Sequence, residues 1–131
     1  MNIYFLVEGQ SSEPYVYPAW ISHLVPELRR VDNFDEVDHN NYYLFSSYGI
    51  PSVEKDIVNA VKDINSSGKY HYFVICIDAD AATIPQREAK ILDLMEKEQI
   101  ALADNTTLKI VVQNRCIIFF YRFYIILYKN I

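Results

Sequence analysis

Four residues stand where this chain could do chemistry. Glu8 and Gly9 follow directly on the apolar run Ile3–Val7, and Asp78 and Asp80 close a second apolar run, Tyr70–Ile77, about seventy residues later. A strand sends alternate side chains the same way, so Asp78 and Asp80 share a direction if extended backbone persists through Ala79. Two carboxylates held side by side repel each other unless a proton or a cation intervenes. Hard oxygen donors beside a phosphate-sized crevice suit Mg²⁺, which takes one or two carboxylates and completes its octahedron with water and substrate oxygens. Glu8, from another strand end, could bind the same ion or a second one. Gly9 carries no side chain and would let the backbone approach a bound phosphate.

Other reactive groups fall outside any such pattern. His23, His39 and His71 lack metal-ligand spacing, and they read as structural histidines. No serine sits in a GxSxG turn and no GxxxxGK[ST] loop occurs, which excludes the nucleophile elbow and the P-loop. Cys76 and Cys116 lie in apolar runs and read as small buried hydrophobes. With no CxxC and no disulfide-dense spacing, a reducing cytoplasm is expected. Arg29-Arg30 is a lone basic doublet, expected near the same end of the sheet as the acids.

Elements that could position the acids recur along the chain. Ile3–Val7 is expected to be a strand buried on both faces. Ser11 or Ser12, then Glu13 and Pro14, mark a helix start that runs through Val16, Trp20, Ile21 and Leu24 and stops before Pro26. Residues 29–41 are polar and read as irregular. Tyr42–Ser46 is expected to be a second strand. Val53, Ile57, Val61 and Ile64 make one apolar stripe of a helix that Asn65-Ser66-Ser67-Gly68 ends. A third strand, Tyr70–Ile77, a helix from about Ile84 to Glu98, and a last strand, Leu108–Gln113, complete the series. Strands alternating with amphipathic helices imply an α/β fold: four strands, mostly parallel, with helices on both faces. In such a sheet ligands bind beyond the carboxyl ends of the strands, where Glu8, Asp78 and Asp80 are expected.

Composition bounds the partners. The chain has 131 residues, 51% of them hydrophobic, which is one domain's worth of core. Twelve Lys and Arg against seventeen Asp and Glu leave a formal charge of −5, so a global cationic surface for nucleic acid or anionic lipid is excluded. Any nucleic-acid contact needs a local basic patch or bound metal. The amino end lacks a basic leader region, and the longest apolar stretch, Cys116–Tyr128, is broken by Arg122 and is shorter than the ~20 residues a spanning helix needs. A soluble cytoplasmic protein with no membrane partner is expected.

Leu6-Val7-Glu8-Gly9 after one apolar strand, followed by Val74-Ile75-Cys76-Ile77-Asp78-Ala79-Asp80 after another, resembles a Toprim domain. That domain is shared by topoisomerases, primases, recombination proteins and the nucleases of the OLD (overcoming lysogenization defect) group. The resemblance covers roughly residues 2–113, and the stand-alone OLD-like nucleases of bacterial abortive-infection and phage-defence systems look most similar. It implies a Toprim-like, Rossmann-like core over residues 1–114 and Mg²⁺- or Mn²⁺-dependent phosphodiester hydrolysis of DNA or RNA. It further implies Glu8 as general acid/base or metal ligand, Asp78 and Asp80 as metal ligands, and Glu13 as a further acid of the site. Relatives act beside an ATPase, on the same chain or as a separate subunit. A non-catalytic module binding phosphate or protein is the alternative. A haloacid-dehalogenase phosphatase fits less well, because its DxDxT follows the first strand and Asp78-Ala79-Asp80-Ala81-Ala82-Thr83 is one residue too long. A receiver domain wants an acid pair where this chain has Glu8-Gly9.

Residues 115–131 read differently from the rest. Ile117–Ile131 contain only Ile, Phe, Tyr, Leu, Arg, Lys and Asn, nearly all encoded by A+T-rich codons. They are expected to be a truncated or frame-shifted replacement of a longer domain. The alternative is a hydrophobic final strand or helix that packs on the sheet or on a second copy in a homo-oligomer.

Overall fold

The computed structural model describes residues 1–9, 13–47, 52–78 and 82–113. Five strands lie in one parallel sheet: β1 (Ile3–Glu8), β2 (Arg29–Arg30), β3 (Asn41–Ser47), β4 (Tyr72–Asp78) and β5 (Thr107–Gln113). Their spatial order is β2-β3-β1-β4-β5. Among the described residues, three α-helices, α1 (Glu13–Leu24), α2 (Ser52–Ser67) and α3 (Ile84–Lys97), and one short 3-10 turn, Phe34–Glu36, connect them. The α/β class and the helices on both faces are as expected. Among the described residues the sheet has five strands and not four.

The extra strand is β2, inside the stretch read as irregular. Two exposed arginines carry no apolar alternation, and the pairing rests on the backbone alone. Arg29 N–H donates to Asn40 O at 2.8 Å, and Val31 N–H donates to Tyr42 O at 2.9 Å. A two-residue charged strand beside β3 leaves little open ladder for another chain to extend. Arg29 pairs with Asn41 at the start of β3, whereas Ser47 at its end pairs with Glu8. The basic doublet therefore lies toward the opposite end of the sheet from Glu8.

Period-two burial divides the core into two layers. Ile3, Phe5 and Val7 of β1, with Val74 and Cys76 of β4, pack against Tyr17, Ile21 and Leu24 of α1. Tyr4 and Leu6 of β1, with Phe73, Ile75 and Ile77 of β4, pack against Val53, Ile57, Val61 and Ile64 of α2 and Ile91 of α3. Continuous apolar runs are what strands covered on both faces require. Cys76 is buried as expected, and loss of solvation pushes its thiol up to about 12. It is inert beside the thiolate chemistry that a reactive cysteine needs.

The winding sets the ligand crevice. From β1 the chain crosses through α1 on one face to the edge strand β2 and then returns to β3, beside β1. From β3 it crosses back over β1 through α2 on the other face and reaches β4. The direction of winding thus reverses between β1 and β4. At such a switch point the loops part on opposite faces and leave an opening beyond the carboxyl ends of the two strands.

Candidate functional site

Parallel pairing brings the carboxyl ends of β1 and β4 together, with Val7 level with Cys76. Glu8 and Asp78, the last residues of these strands, therefore adjoin at the switch point. Glu8 Oε2 accepts a hydrogen bond from the Asp78 backbone N–H at 3.1 Å. The pleat divides their side chains, however. Tyr4 and Leu6 face α2 and α3, so Glu8 follows them to that side. Val74 and Cys76 face α1, so the alternation directs Asp78 toward the α1 side.

On its own side Glu8 meets Arg87 of α3. Arg87 Nη2 lies 3.2 Å from Glu8 Oε2, and the two side chains are 9% and 11% exposed, respectively. One carboxylate oxygen thus takes two donors, an amide and a guanidinium, at the end of the central strand. Such a pair is strongly interdependent, since deleting one partner strands a buried charge at a cost of about 3–5 kcal/mol. Arg87 Nε is buried with no hydrogen-bond partner among the described residues.

Local sequence fixes Arg87. Thr83 caps α3, its hydroxyl accepting from Gln86 N–H at 3.3 Å while the Gln86 side chain accepts from Thr83 N–H at 2.9 Å. Pro85 sits in the first turn, where a missing N–H costs nothing. Arg87 N–H then donates to Thr83 O. Ile84, Arg87, Ile91 and Leu94 fall at helical spacing on the face turned to the sheet, a stripe in which Arg87 is the sole charge. Sequence reasoning missed Arg87. Its signal was a charge interrupting an apolar helical stripe, one turn after the acidic loop.

The remaining expected residues are placed as follows. Gly9 has φ 112°, a left-handed conformation that favours glycine, and its N–H donates to Ser47 O at 2.9 Å. That bond ties the turn after β1 to the end of β3. Beside it, Ser47 Oγ donates to Asp56 Oδ2 of α2 at 2.7 Å, and Ser52 Oγ donates to the same atom at 3.2 Å. Glu13 is the first residue of α1, and its side chain lies outside the described residues. Asp80 and the segment 115–131 also lie outside them.

The chemistry of these groups suits a cation. Glu8 is already paired with a positive charge, the Arg87 guanidinium. Carboxylate oxygens at two adjacent strand ends are the hard donors that Mg²⁺ or Mn²⁺ prefers. Among the described residues, no three His, Cys, Asp or Glu side chains cluster closely enough to enclose a metal. Among the described residues, no helix is long and apolar enough to cross a membrane. No protein-family model matches the chain, and no curated protein or solved structure is significantly similar to it.

Proposed function

We propose that the protein is a metal-dependent phosphodiester hydrolase of Toprim type, a DNA or RNA nuclease of the OLD-like kind used in phage defence. The observation that carries this reading is that the strand ends bearing Glu8 and Asp78, far apart in sequence, adjoin at the switch point of a parallel sheet. Because the pleat sends the two side chains to opposite faces, an ion shared by them has to sit over the strand ends. In this reading Glu8, Asp78 and Asp80 hold Mg²⁺ or Mn²⁺, with Glu13 as a further acid. Bound there, the metal supplies charge stabilisation for the scissile phosphate and acidifies a water. Glu8, fixed by the Asp78 amide and by Arg87, accepts or returns a proton. Gly9, with no side chain, is the residue at which this reading lets a phosphate oxygen approach the backbone. Binding of nucleic acid by so acidic a chain is weak and metal-mediated, and a separate ATPase subunit is the partner the family resemblance implies.

One observation favours a second reading. Glu8 is already neutralised by Arg87, as expected of an acid whose work is structural, so a Toprim-like module that binds phosphate or protein without turnover is the rival. Melting curves in EDTA and in millimolar Mg²⁺ or Mn²⁺, run beside cleavage assays on single- and double-stranded DNA and RNA, separate the two. A ligand that binds only the folded state raises stability by RT ln(1 + [L]/Kd), so ten millimolar metal at a Kd of about 0.1 mM adds about 2.7 kcal/mol. The nuclease reading expects that gain and metal-dependent cleavage in wild type, and their loss in Asp78→Asn and Asp80→Asn with the metal-free fold intact. No metal-dependent shift in wild type sinks it.

A further inference from the structure

We infer that Arg87 is the internal counter-ion of Glu8 and competes with a divalent cation for that carboxylate. This rests on the metal-site reading above and adds a positioning residue to it. Glu8 Oε2 lies within hydrogen-bond distance of Arg87 Nη2, and both side chains are about nine-tenths buried. Charges so sheltered interact far more strongly than exposed ones, because water screens them little. Without metal, Arg87 holds the carboxylate aimed at the strand ends. A divalent ion on the same carboxylate meets the guanidinium as a like charge a few ångströms away. Metal binding therefore has to loosen the Glu8–Arg87 contact.

The unmatched Nε of Arg87 fits a residue with two uses. Among the described residues this N–H has no acceptor, although a guanidinium presents all its donors in one rigid fork. An arginine serving only to brace a helix on a sheet is expected to satisfy each buried donor, since an unmade hydrogen bond is costly. Arg87 also lines the cleft between α2 and α3, with Val53, Glu54, Ile77 and Lys90 around it. Its α3 backbone stays pinned by the Thr83 cap.

Titration calorimetry with Mn²⁺ alone, beside melts in EDTA, tests this. Arg87→Gln removes the charge and keeps a donor, so it should bind Mn²⁺ at least tenfold more tightly than wild type. Its metal-free form should melt roughly 10 °C lower, because Glu8 is left uncompensated. Arg87→Lys keeps the charge and should bind Mn²⁺ within threefold of wild type. A bracing role alone predicts weaker or unchanged metal binding in Arg87→Gln, and that result overturns the inference. In wild type, the sheltered Arg87 Nε–H signal in nitrogen-edited NMR should shift and exchange faster with water on adding Mg²⁺. A metal-stabilised wild type whose Arg87 signal stays fixed also overturns it, whether or not the Gln variant folds. Absence of any metal effect in wild type and in both variants instead removes the metal-site reading on which the inference stands.

Discussion

Asn2 is 2% exposed and works as a clasp at the amino edge of the sheet. Its side-chain amide donates to Asp38 O at 2.9 Å and Lys69 O at 3.0 Å, and its carbonyl accepts from Asn41 N–H at 3.0 Å. Its backbone N–H donates to His71 Nδ1, and its backbone carbonyl accepts from His71 N–H. His71 is thus a structural acceptor, in keeping with its expected role. Two other chain segments, the turn 38–41 and the approach to β4 at Lys69, converge on one amide because a neutral side chain with two donors and an acceptor can answer two carbonyls and an amide at once. Asn2→Ala strands all three backbone groups and should cost about 2–4 kcal/mol, at 1–3 kcal/mol for the worst-placed group and less for those that regain water. Asn2→Asp should cost at least as much, since it turns an acceptor toward two carbonyl oxygens. Urea unfolding of the three proteins checks this, and an Asn2→Asp variant as stable as wild type refutes the clasp.

At the scale of elements, helix α3 shows what the sequence could and could not disclose. The apolar spacing around Ile84, Ile91 and Leu94 was readable, and so was the helix start. The Thr83–Gln86 capping box was present as T-x-x-Q but is weak without a known helix boundary. Arg87 was hidden by a habit of inference, since a lone basic residue on a helix is usually a solvated one. Its partner, Glu8, is far away in sequence and is brought near only by the parallel return of β4 beside β1. The two-residue β2 was illegible for a different reason: its pairing is carried by backbone groups, which look alike in every residue. By contrast α2 emerged as expected, because Val53, Ile57, Val61 and Ile64 bury one stripe against the sheet. The cap of α3 carries a prediction of its own. Thr83→Ala should lower stability by about 1 kcal/mol and Thr83→Ser by much less, as read from thermal unfolding. Equal stability of Ala and Thr would show that the helix start is held by packing alone.

Across the whole molecule, β1 is shared by both halves of the core. Its residues Ile3, Phe5 and Val7 belong to the α1 layer, and Tyr4 and Leu6 belong to the α2–α3 layer. One strand supplying two hydrophobic layers couples them, because neither can come apart while β1 stays paired with β3 and β4. The same coupling explains why the ends of β1 and β4 can hold buried charges: Glu8 and Arg87 are fixed from below by a sheet packed on both sides. A small cavity in either layer should therefore weaken one common unfolding transition. Ile3→Val in the α1 layer and Ile75→Val in the α2–α3 layer should each cost about 0.5–1.5 kcal/mol. The double variant should lose nearly the sum, since the two side chains lie on opposite faces and share no cavity. Urea titrations followed by tyrosine fluorescence and by far-UV circular dichroism should give coincident curves, with a lowered midpoint and an unchanged slope. Separate transitions from the two probes, or a layer-specific loss of slope, would mean that the two faces fold independently and that β1 does not couple them.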